Sequence, residues 1–417
     1  MNAELLAVGT ELLLGNTVNT DARDLSEGLS QLGINVYWHT VVGDNPARLT
    51  ACVEIARRRA DLIITTGGLG PTCDDLTKQV LAKAFGLELY YDEAEAQGIR
   101  DWFERVRGIH MTENNLQQAY LPTGCTIFHN DWGTAPGCAF EKDGVRVLML
   151  PGPPAECNAM FRHCAAPYLQ ALSGETIVSH SLRVFGMGES TVEHQLRELM
   201  NSLTNPTLAP YAKVGEVMLR VTAKAKTPAE AEAMMRPVLQ RVRDTLGDVV
   251  YGEDVDSLEE AVNLLLAAQG ATLAAAESCT GGLLAKRMTD IPGASAHFLG
   301  GVTVYTNAAK SALLGLDPAL IESCGAVSRE VAAQLADAVR ARLGTTLGIG
   351  ITGLAGPDGD GIHAVGLVYV ALSAEGRDTA VRELTLGGKT TRTRIRTLAV
   401  NHALDMARRH LTGLPVL

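Results

Sequence analysis

Aromatic residues are scarce in this 417-residue chain, 5% of the total, while glycine is plentiful at 42. That balance argues against an all-β sandwich, whose strands pair aromatics across a sheet, and suits α/β layers joined by glycine turns. A basic surplus is missing too. Subtracting 47 acidic from 36 basic side chains leaves a formal charge of −11 and an isoelectric point near 5.4, the wrong sign for a protein that tracks polyphosphate. No nucleic-acid partner is expected. No run of 18 apolar residues occurs, and the opening MNAELLAVGTELLLG lacks a basic segment and is interrupted by Glu4 and Glu11. Neither a membrane partner nor a secretory leader is expected, and the location reads as cytoplasmic. The eight cysteines never form Cys-x-x-Cys, so neither a zinc site nor a disulfide framework is signalled.

What is present is core. With 46% hydrophobic residues the chain can fill roughly two to three domains of about 150 residues each. Apolar runs at 4–8, 35–38 and 62–66 alternate with helical periodicity over 21–32 and 46–60, a β-α-β-α-β order. Right-handed crossovers then imply a parallel sheet with ligand-binding loops at the carboxyl ends of its strands. A strand at 145–150 stops at Pro151-Gly152-Pro153-Pro154, and a helical stretch to about 172 closes a first domain, 1–172. Residues 173–255 read as strand, helix, strand, helix, a small α+β connecting module. Ser257-Leu258-Glu259-Glu260 has the capping-box pattern and opens a third domain, 256–417, which returns to α/β alternation with strands near 272–276, 301–305, 346–352, 365–371 and 379–386.

Chemistry concentrates in glycine-rich loops. Thr66-Gly67-Gly68-Leu69-Gly70-Pro71-Thr72-Cys73-Asp74-Asp75 follows a predicted strand and leads into a predicted helix over 76–85. Gly67, Gly68 and Gly70 let the backbone approach a phosphate, and the helix dipole adds positive potential. Asp74 and Asp75 beside such a site point to Mg²⁺ or a similar hard cation, with Glu156 a further candidate ligand. The plainer alternative makes Thr72 a cap and Asp75 its partner. The weaker candidates Thr10, Glu11, Asn19, Asp44 and Asn114 read as turn or helix-start residues.

Ala276-Glu277-Ser278-Cys279-Thr280-Gly281-Gly282 and Thr352-Gly353-Leu354-Ala355-Gly356-Pro357 each end a predicted strand. Ser278, Thr280, Gly281, Thr352 and Gly353 form either a cradle for a nucleotide phosphate or oxyanion, or bare turns. Between them, Ser295 precedes a predicted strand that leads to Tyr305 and Lys310, the nearest candidate bases. Lys310 would need burial to lose its proton near neutral pH. Cys279 competes as nucleophile, whereas His297 has no carboxylate placed to orient it.

GGLGPTCDDLT (67–77), GTAPG (133–137), LPGPPAE (150–156), AESCTGG (276–282), YTNAAK (305–310), GAVS (325–328) and TGLAGP (352–357) together resemble the bacterial competence/damage-inducible CinA family over essentially the whole chain. The resemblance implies an N-terminal molybdopterin-binding-like three-layer domain, a KH-like module and a C-terminal α/β amidase domain. It implies two hydrolytic activities, a metal-dependent ADP-ribose pyrophosphatase and a nicotinamide mononucleotide amidohydrolase that releases ammonia and nicotinic acid mononucleotide. Both substrates are breakdown products of NAD. The amidase would use Ser295, Tyr305, Lys310 and Arg392, with Ser278, Thr280 and Thr352 holding substrate; Lys389 is the alternative to Arg392. The pyrophosphatase would bind substrate at Gly67, Gly68, Gly70 and Thr72 and a divalent metal at Asp74, Asp75 and Glu156. A homodimer is expected. Two departures stand out, Asp21 where Asn is usual and His363-Ala364 where Lys-Pro is usual. A cofactor-synthesis protein that only binds molybdopterin, or a non-catalytic protein of DNA uptake, are the rival readings. The connecting module lacks Gly-x-x-Gly, and its seven basic and five acidic residues over 205–251 give little drive toward RNA.

Overall fold

Neighbouring residues on the first strands are buried in opposite directions. Leu6, Ile63, Val147 and Met149 join one core with Leu49, Val53, Val80 and Leu81. Leu5, Ile64, Leu148 and Leu150 join another with Leu25, Leu29, Met160 and Phe161. A sheet covered by helices on both faces needs strands that read as continuous apolar runs, as LIITT does. The computed structural model describes residues 1–417 apart from 105–110, 174–175, 388–389 and the side chain of Ser173. Lys389 therefore lies outside the described residues.

The first eight strands are β1 (Asn2–Val8), β2 (Asn35–Val42), β3 (Leu62–Thr66), β4 (Leu89–Tyr91), β5 (Tyr120–Pro122), β6 (Thr126–Phe128), β7 (Gly137–Lys142) and β8 (Val145–Leu150). Six of them form a sheet in the order β2-β1-β3-β8-β7-β6, and β4 pairs with β5 apart from it. β2, β1, β3 and β8 run parallel, but β7 and β6 are antiparallel, so the expected parallel sheet is mixed at one edge. The cause is local. Asp143 and Gly144 both take positive φ, 54° and 78°, the two-residue turn that closes a tight hairpin between β7 and β8.

The connecting stretch holds β9 (Thr176–Phe185), β10 (Thr207–Lys213), β11 (Glu216–Ala225) and β12 (Val250–Glu253) in the order β10-β11-β9-β12, with helices Glu189–Ser202 and Pro228–Leu246. The last sheet comprises β13 (Leu273–Glu277), β14 (Phe298–Thr303), β15 (Leu347–Gly353), β16 (Leu367–Ala374) and β17 (Ala380–Thr385), in the order β14-β13-β15-β16-β17. Its first three strands are parallel and the last two antiparallel. Helices Leu258–Gln269 and Arg392–Leu411 share a core with Leu273, Ala275, Ile349 and Ile351. On the other face, Ala274 and Ala276 meet Val331, Leu335 and Val339 of helix Arg329–Leu343. The alternating glycines of LGIGITG make that contact possible: a Cβ on Gly348 or Gly350 would lie 2.2 or 2.3 Å from the carbonyl oxygen of Ala336 or Ala332.

The capping pattern at 257–260 is real but shifted by one residue on its return arm. Ser257 Oγ accepts from Glu260 N at 3.3 Å, while Glu260 Oε2 accepts from Asp256 N at 2.6 Å. Two compact units result, Met1–Ser179 with Thr222–Met234, and His180–Val221 with Met235–Leu417. No helix among the described residues is long and apolar enough to cross a membrane.

Candidate active sites

Parallel β13, β14 and β15 deliver their following loops to one edge of the sheet. Ser278 sits directly after β13, its N–H donating to Ile351 O at 2.9 Å. After β14 the chain passes Tyr305 and enters helix Asn307–Leu314, capped by Thr306 Oγ1 accepting from Ala309 N. Lys310 lies one turn inside that helix, 1% exposed, and its Nζ donates to Ser278 Oγ at 3.5 Å. Burial pulls the lysine below its ordinary pKa, which favours the neutral amine that can take a proton. Cys279 is disfavoured as a nucleophile, because burial pushes its thiol up to about 12.

Arg392 closes the same edge. Its Nη2 donates to Tyr305 Oη at 2.9 Å and its Nη1 to Gly356 O at 2.6 Å. Arg396, one helical turn on, donates to Thr280 O from Nε and Nη2 at 3.2 and 2.5 Å. Thr280 is fully buried, and its Oγ1 has no hydrogen-bond partner. Tyr305 and Arg392 are thus bonded to each other, and Lys310 to Ser278, on segments that border this edge.

Ser295 does not join them. It lies exposed in a short 3₁₀ turn, Ala294–Ala296, ahead of β14, whereas Tyr305 and Lys310 follow that strand. Since β14 alone is about 17 Å long at ~3.3 Å per residue, Ser295 is at the opposite sheet edge and cannot share a proton with Lys310. The serine beside the lysine is Ser278. The glycine loop also differs from an open anion cradle. Gly281 N donates to Ser278 O at 3.1 Å, and the buried carboxylate of Glu277 accepts from Gly282 N, Leu284 N and Ala285 N at 3.1, 3.0 and 2.9 Å. The helix start is therefore occupied by the protein's own anion. Thr352 Oγ1 donates to Ala326 O at 2.7 Å, and Gly353 serves close packing, since a Cβ there would lie 2.6 Å from Leu367 O.

In the N-terminal unit, Gly67 and Gly68 take φ of 89° and 67°, and a Cβ on Gly67 would lie 2.3 Å from Val8 O. The loop closes on itself: Thr77 N donates to Gly68 O at 3.1 Å and Thr77 Oγ1 to Gly67 O at 2.9 Å. Thr72 donates from N and Oγ1 to Asp75 Oδ2 at 2.8 and 2.6 Å, a turn within the loop rather than the expected helix cap, since the residue capping the following helix is Leu76. A helix follows only at Thr77–Ala84. Glu156 accepts from Asn130 Nδ2 at 2.7 Å. Asp74, Asp75 and Glu156 are not gathered as a three-carboxylate metal site: among the described residues, the trio whose ligand atoms lie within 4.8 Å of one another is His180, Glu253 and Asp254. Its members already have protein partners, His180 Nδ1 with Asp254 Oδ2 at 2.5 Å and Glu253 with Arg243. Asn19 and Asp44 are turn groups, accepting from Ala22 N at 3.1 Å and Thr10 N at 2.8 Å, and Asn114 donates to Pro71 O at 3.1 Å.

Residues 4–171 match the probable molybdopterin binding domain, residues 179–252 the damage-inducible protein CinA KH domain, and residues 255–411 the CinA C-terminal domain. A CinA-like protein of Dictyoglomus turgidum is 46% identical over 415 residues, covering 99% of this chain and 100% of its own length. The chain belongs to the CinA family. A second CinA-like protein, from Kosmotoga olearia, is also 46% identical over 99% of this chain and 100% of its own. Among solved structures, the CinA protein of unknown function from Thermoplasma acidophilum is 34% identical, covers 40% of this chain and 96% of its own, and has a TM-score of 0.37. The competence/damage inducible protein CihA of Agrobacterium tumefaciens is 37% identical, covers 36% and 90%, and has a TM-score of 0.35.

Two features of this CinA-family chain were not read from the sequence, the pairing of Ser278 with Lys310 and the burial of Lys78. Ser278 as the partner of Lys310 was legible only as one polar residue of a glycine loop. Lys78 is 3% exposed, donates to Gln118 O, and is lowered to about 8 by burial. Its signal was a lysine on the stripe shared with Leu81, Ala82 and Phe85, all buried.

Proposed function

We propose that the C-terminal domain is a nicotinamide mononucleotide amidohydrolase in which Ser278 is the nucleophile and Lys310 its base. The supporting observation is the buried lysine amine 3.5 Å from the serine hydroxyl, with no ion pair to a carboxylate among the described residues. Neutral Lys310 accepts the Oγ proton as Oγ bonds to the carboxamide carbon; the resulting ammonium returns a proton to the leaving nitrogen, and ammonia departs. Water then adds to the ester, Lys310 again taking and returning a proton, and the acid and free Ser278 result. Arg392, anchored on Tyr305 and Gly356, offers positive charge at the mouth of the site. Thr280 Oγ1, buried without a partner, is available to the substrate.

For the N-terminal domain we propose hydrolysis of the ADP-ribose pyrophosphate, with the phosphates over the Gly67–Gly70 loop. A divalent ion would be held through Asp74 or Asp75 together with substrate oxygens, since Mg²⁺ commonly uses one or two carboxylates plus phosphates. The three-carboxylate set is not assembled among the described residues. One experiment tests both halves. The intact protein is incubated separately with nicotinamide mononucleotide and ADP-ribose, with and without EDTA, while ammonia and AMP are followed. Ammonia release insensitive to EDTA and AMP release abolished by it are expected. Absence of ammonia overturns the amidase reading, and AMP release that survives EDTA overturns the metal.

A further inference from the structure

Where β13 gives way to the next helix, nearly every backbone donor is spoken for. Ser278 N donates to Ile351 O at 2.9 Å, Gly281 N to Ser278 O at 3.1 Å and Leu283 N to Thr280 O at 3.2 Å. Gly282, Leu284 and Ala285 donate to the Glu277 carboxylate. Cys279 and Thr280, directly after Ser278, are left over: among the described residues neither N–H has an acceptor, apart from the sulfur of Cys279 itself. Thr280 is fully buried, and its Oγ1 is unpartnered as well. Unpaired donors are costly in a buried loop, so three on adjacent residues call for a ligand that completes them.

The turn sets their direction. The bond from Gly281 N to Ser278 O closes a β-turn centred on Cys279 and Thr280. Both keep negative φ, since the non-glycine residues with positive φ are Asp143 and Asp254, and this makes the turn type I. Its central N–H groups then point the same way, as in the first turn of a helix, and a side-chain oxygen at the first position lies on that side, which is why serine favours it. Ser278 Oγ makes no bond to them and meets Lys310 Nζ at 3.5 Å instead. A carbonyl whose carbon bonds to Oγ therefore turns its oxygen toward two free N–H groups. Arg396 steadies the turn by donating twice to Thr280 O. Other donors nearby are engaged: Arg392 Nη1 and Nη2 are bonded to Gly356 O and Tyr305 Oη, and Lys310 serves as base in its neutral form.

We propose that the N–H groups of Cys279 and Thr280, together with Thr280 Oγ1, form the oxyanion hole of the amidase. As Ser278 Oγ bonds to the carboxamide carbon and Lys310 takes its proton, the carbonyl electron pair moves onto oxygen and is met by these donors; on collapse the pair returns, the C–N bond breaks and the proton leaves with ammonia. The assignment rests on Ser278 being the nucleophile.

The test uses the full chain, with circular dichroism as a check on folding. Proline suits the second position of a type I turn and has no N–H, so Cys279→Pro deletes a donor that Cys279→Ala keeps. For ammonia release from nicotinamide mononucleotide, kcat of the proline variant should fall at least about 100-fold below that of the alanine variant, the scale of losing one such donor. Thr280→Val should lower kcat at least about tenfold with KM changed less than about threefold, and Thr280→Ser should restore most of it. The thioamide analogue of the substrate supplies a readout that a structural defect does not move. Sulfur accepts hydrogen bonds poorly, so the preference of wild type for oxygen over sulfur should shrink at least about fivefold in Thr280→Val, whereas a loosened fold slows both substrates alike. Should Cys279→Pro not fold, the two threonine variants and the thioamide ratio decide alone. Equal kcat in the Cys279 variants, or a thioamide ratio unchanged in Thr280→Val, overturns the oxyanion hole. The two readings fail separately. If Ser278→Ala is inactive while the thioamide ratio is unchanged, the nucleophile stands and the hole is wrong; if Ser278→Ala keeps full turnover, the nucleophile itself is wrong and the hole falls with it.

Discussion

Arg392 donates to the hydroxyl of Tyr305 at 2.9 Å, tying the first turn of the last helix to the segment that follows β14. Its second nitrogen reaches Gly356 O at 2.6 Å, so one guanidinium spans the loops after two strands. A lysine offers a single ammonium and cannot reproduce both directed bonds. Arg392→Lys should therefore lower kcat/KM for nicotinamide mononucleotide by about 10- to 100-fold, and Tyr305→Phe by less, because the arginine keeps its bond to Gly356. Steady-state kinetics checks the order. Equal effects from the two substitutions would deny Arg392 a role beyond holding Tyr305.

Glu277 is 1% exposed, and its carboxylate satisfies three backbone N–H groups where the glycine loop becomes helix. Removing it leaves buried donors unsatisfied, at about 1–3 kcal/mol for each group not rescued by water. Glu277→Ala should cost several kcal/mol and displace Ser278 with the loop. Glu277→Gln should lose less, keeping one acceptor oxygen. Urea unfolding followed alongside amidase activity checks both.

Much of this was legible beforehand for a simple physical reason. Alternating apolar runs and helical periods report burial on sheet faces, and LIITT and LGIGITG occupy the central strands β3 and β15. The hairpin at Asp143-Gly144 was equally visible in the dipeptide, yet a β-α-β frame favoured parallel strands and hid it. Site residues fared differently. Lys310 and Tyr305 could be placed because they follow a strand, whereas Ser295 was attached to them by the family resemblance and by nearness along the chain. A strand separates its two ends in space, so nearness in sequence across β14 means distance in the fold. Ser278, 32 residues from Lys310, is brought in only by strand pairing, which sequence spacing does not reveal.

Asp21 is 7% exposed, and its Oδ1 is buried without a partner. Desolvation, then the neighbouring Asp24, raises its carboxyl to about 6. The folded state holds this proton more tightly than the unfolded chain does, so stability is favoured at low pH and falls as pH rises from about 4 through about 6. Asp21→Asn removes the ionisable group. It should raise the Tm at pH 8, by an amount corresponding to on the order of 1–2 kcal/mol, and change it little at pH 4. Thermal unfolding at the two pH values is the measurement; an equal gain at both would show that ionisation is not the cause.

The nucleophile is decided by three substitutions and a pH profile. Ser278→Ala should reduce amide hydrolysis by at least about three orders of magnitude, the scale seen when a nucleophile or its base is lost. Ser295→Ala should stay near wild type, because that serine lies at the far edge of the sheet. Cys279→Ala should keep most activity, its thiol being held at about 12 by burial. Lys310→Gln should fail nearly as badly as Ser278→Ala, and the double variant no worse than either, since two residues acting as one unit are not additive. The pH profile follows from the sign of the lysine shift. Burial lowers the pKa of Lys310, and only its neutral form accepts the serine proton, so kcat/KM should rise with pH through a pKa below that of an ordinary lysine and level off above it. A Ser278→Ala enzyme with full turnover, or a wild-type profile without that rising limb, would remove the pair from the chemistry and leave the buried lysine a structural residue.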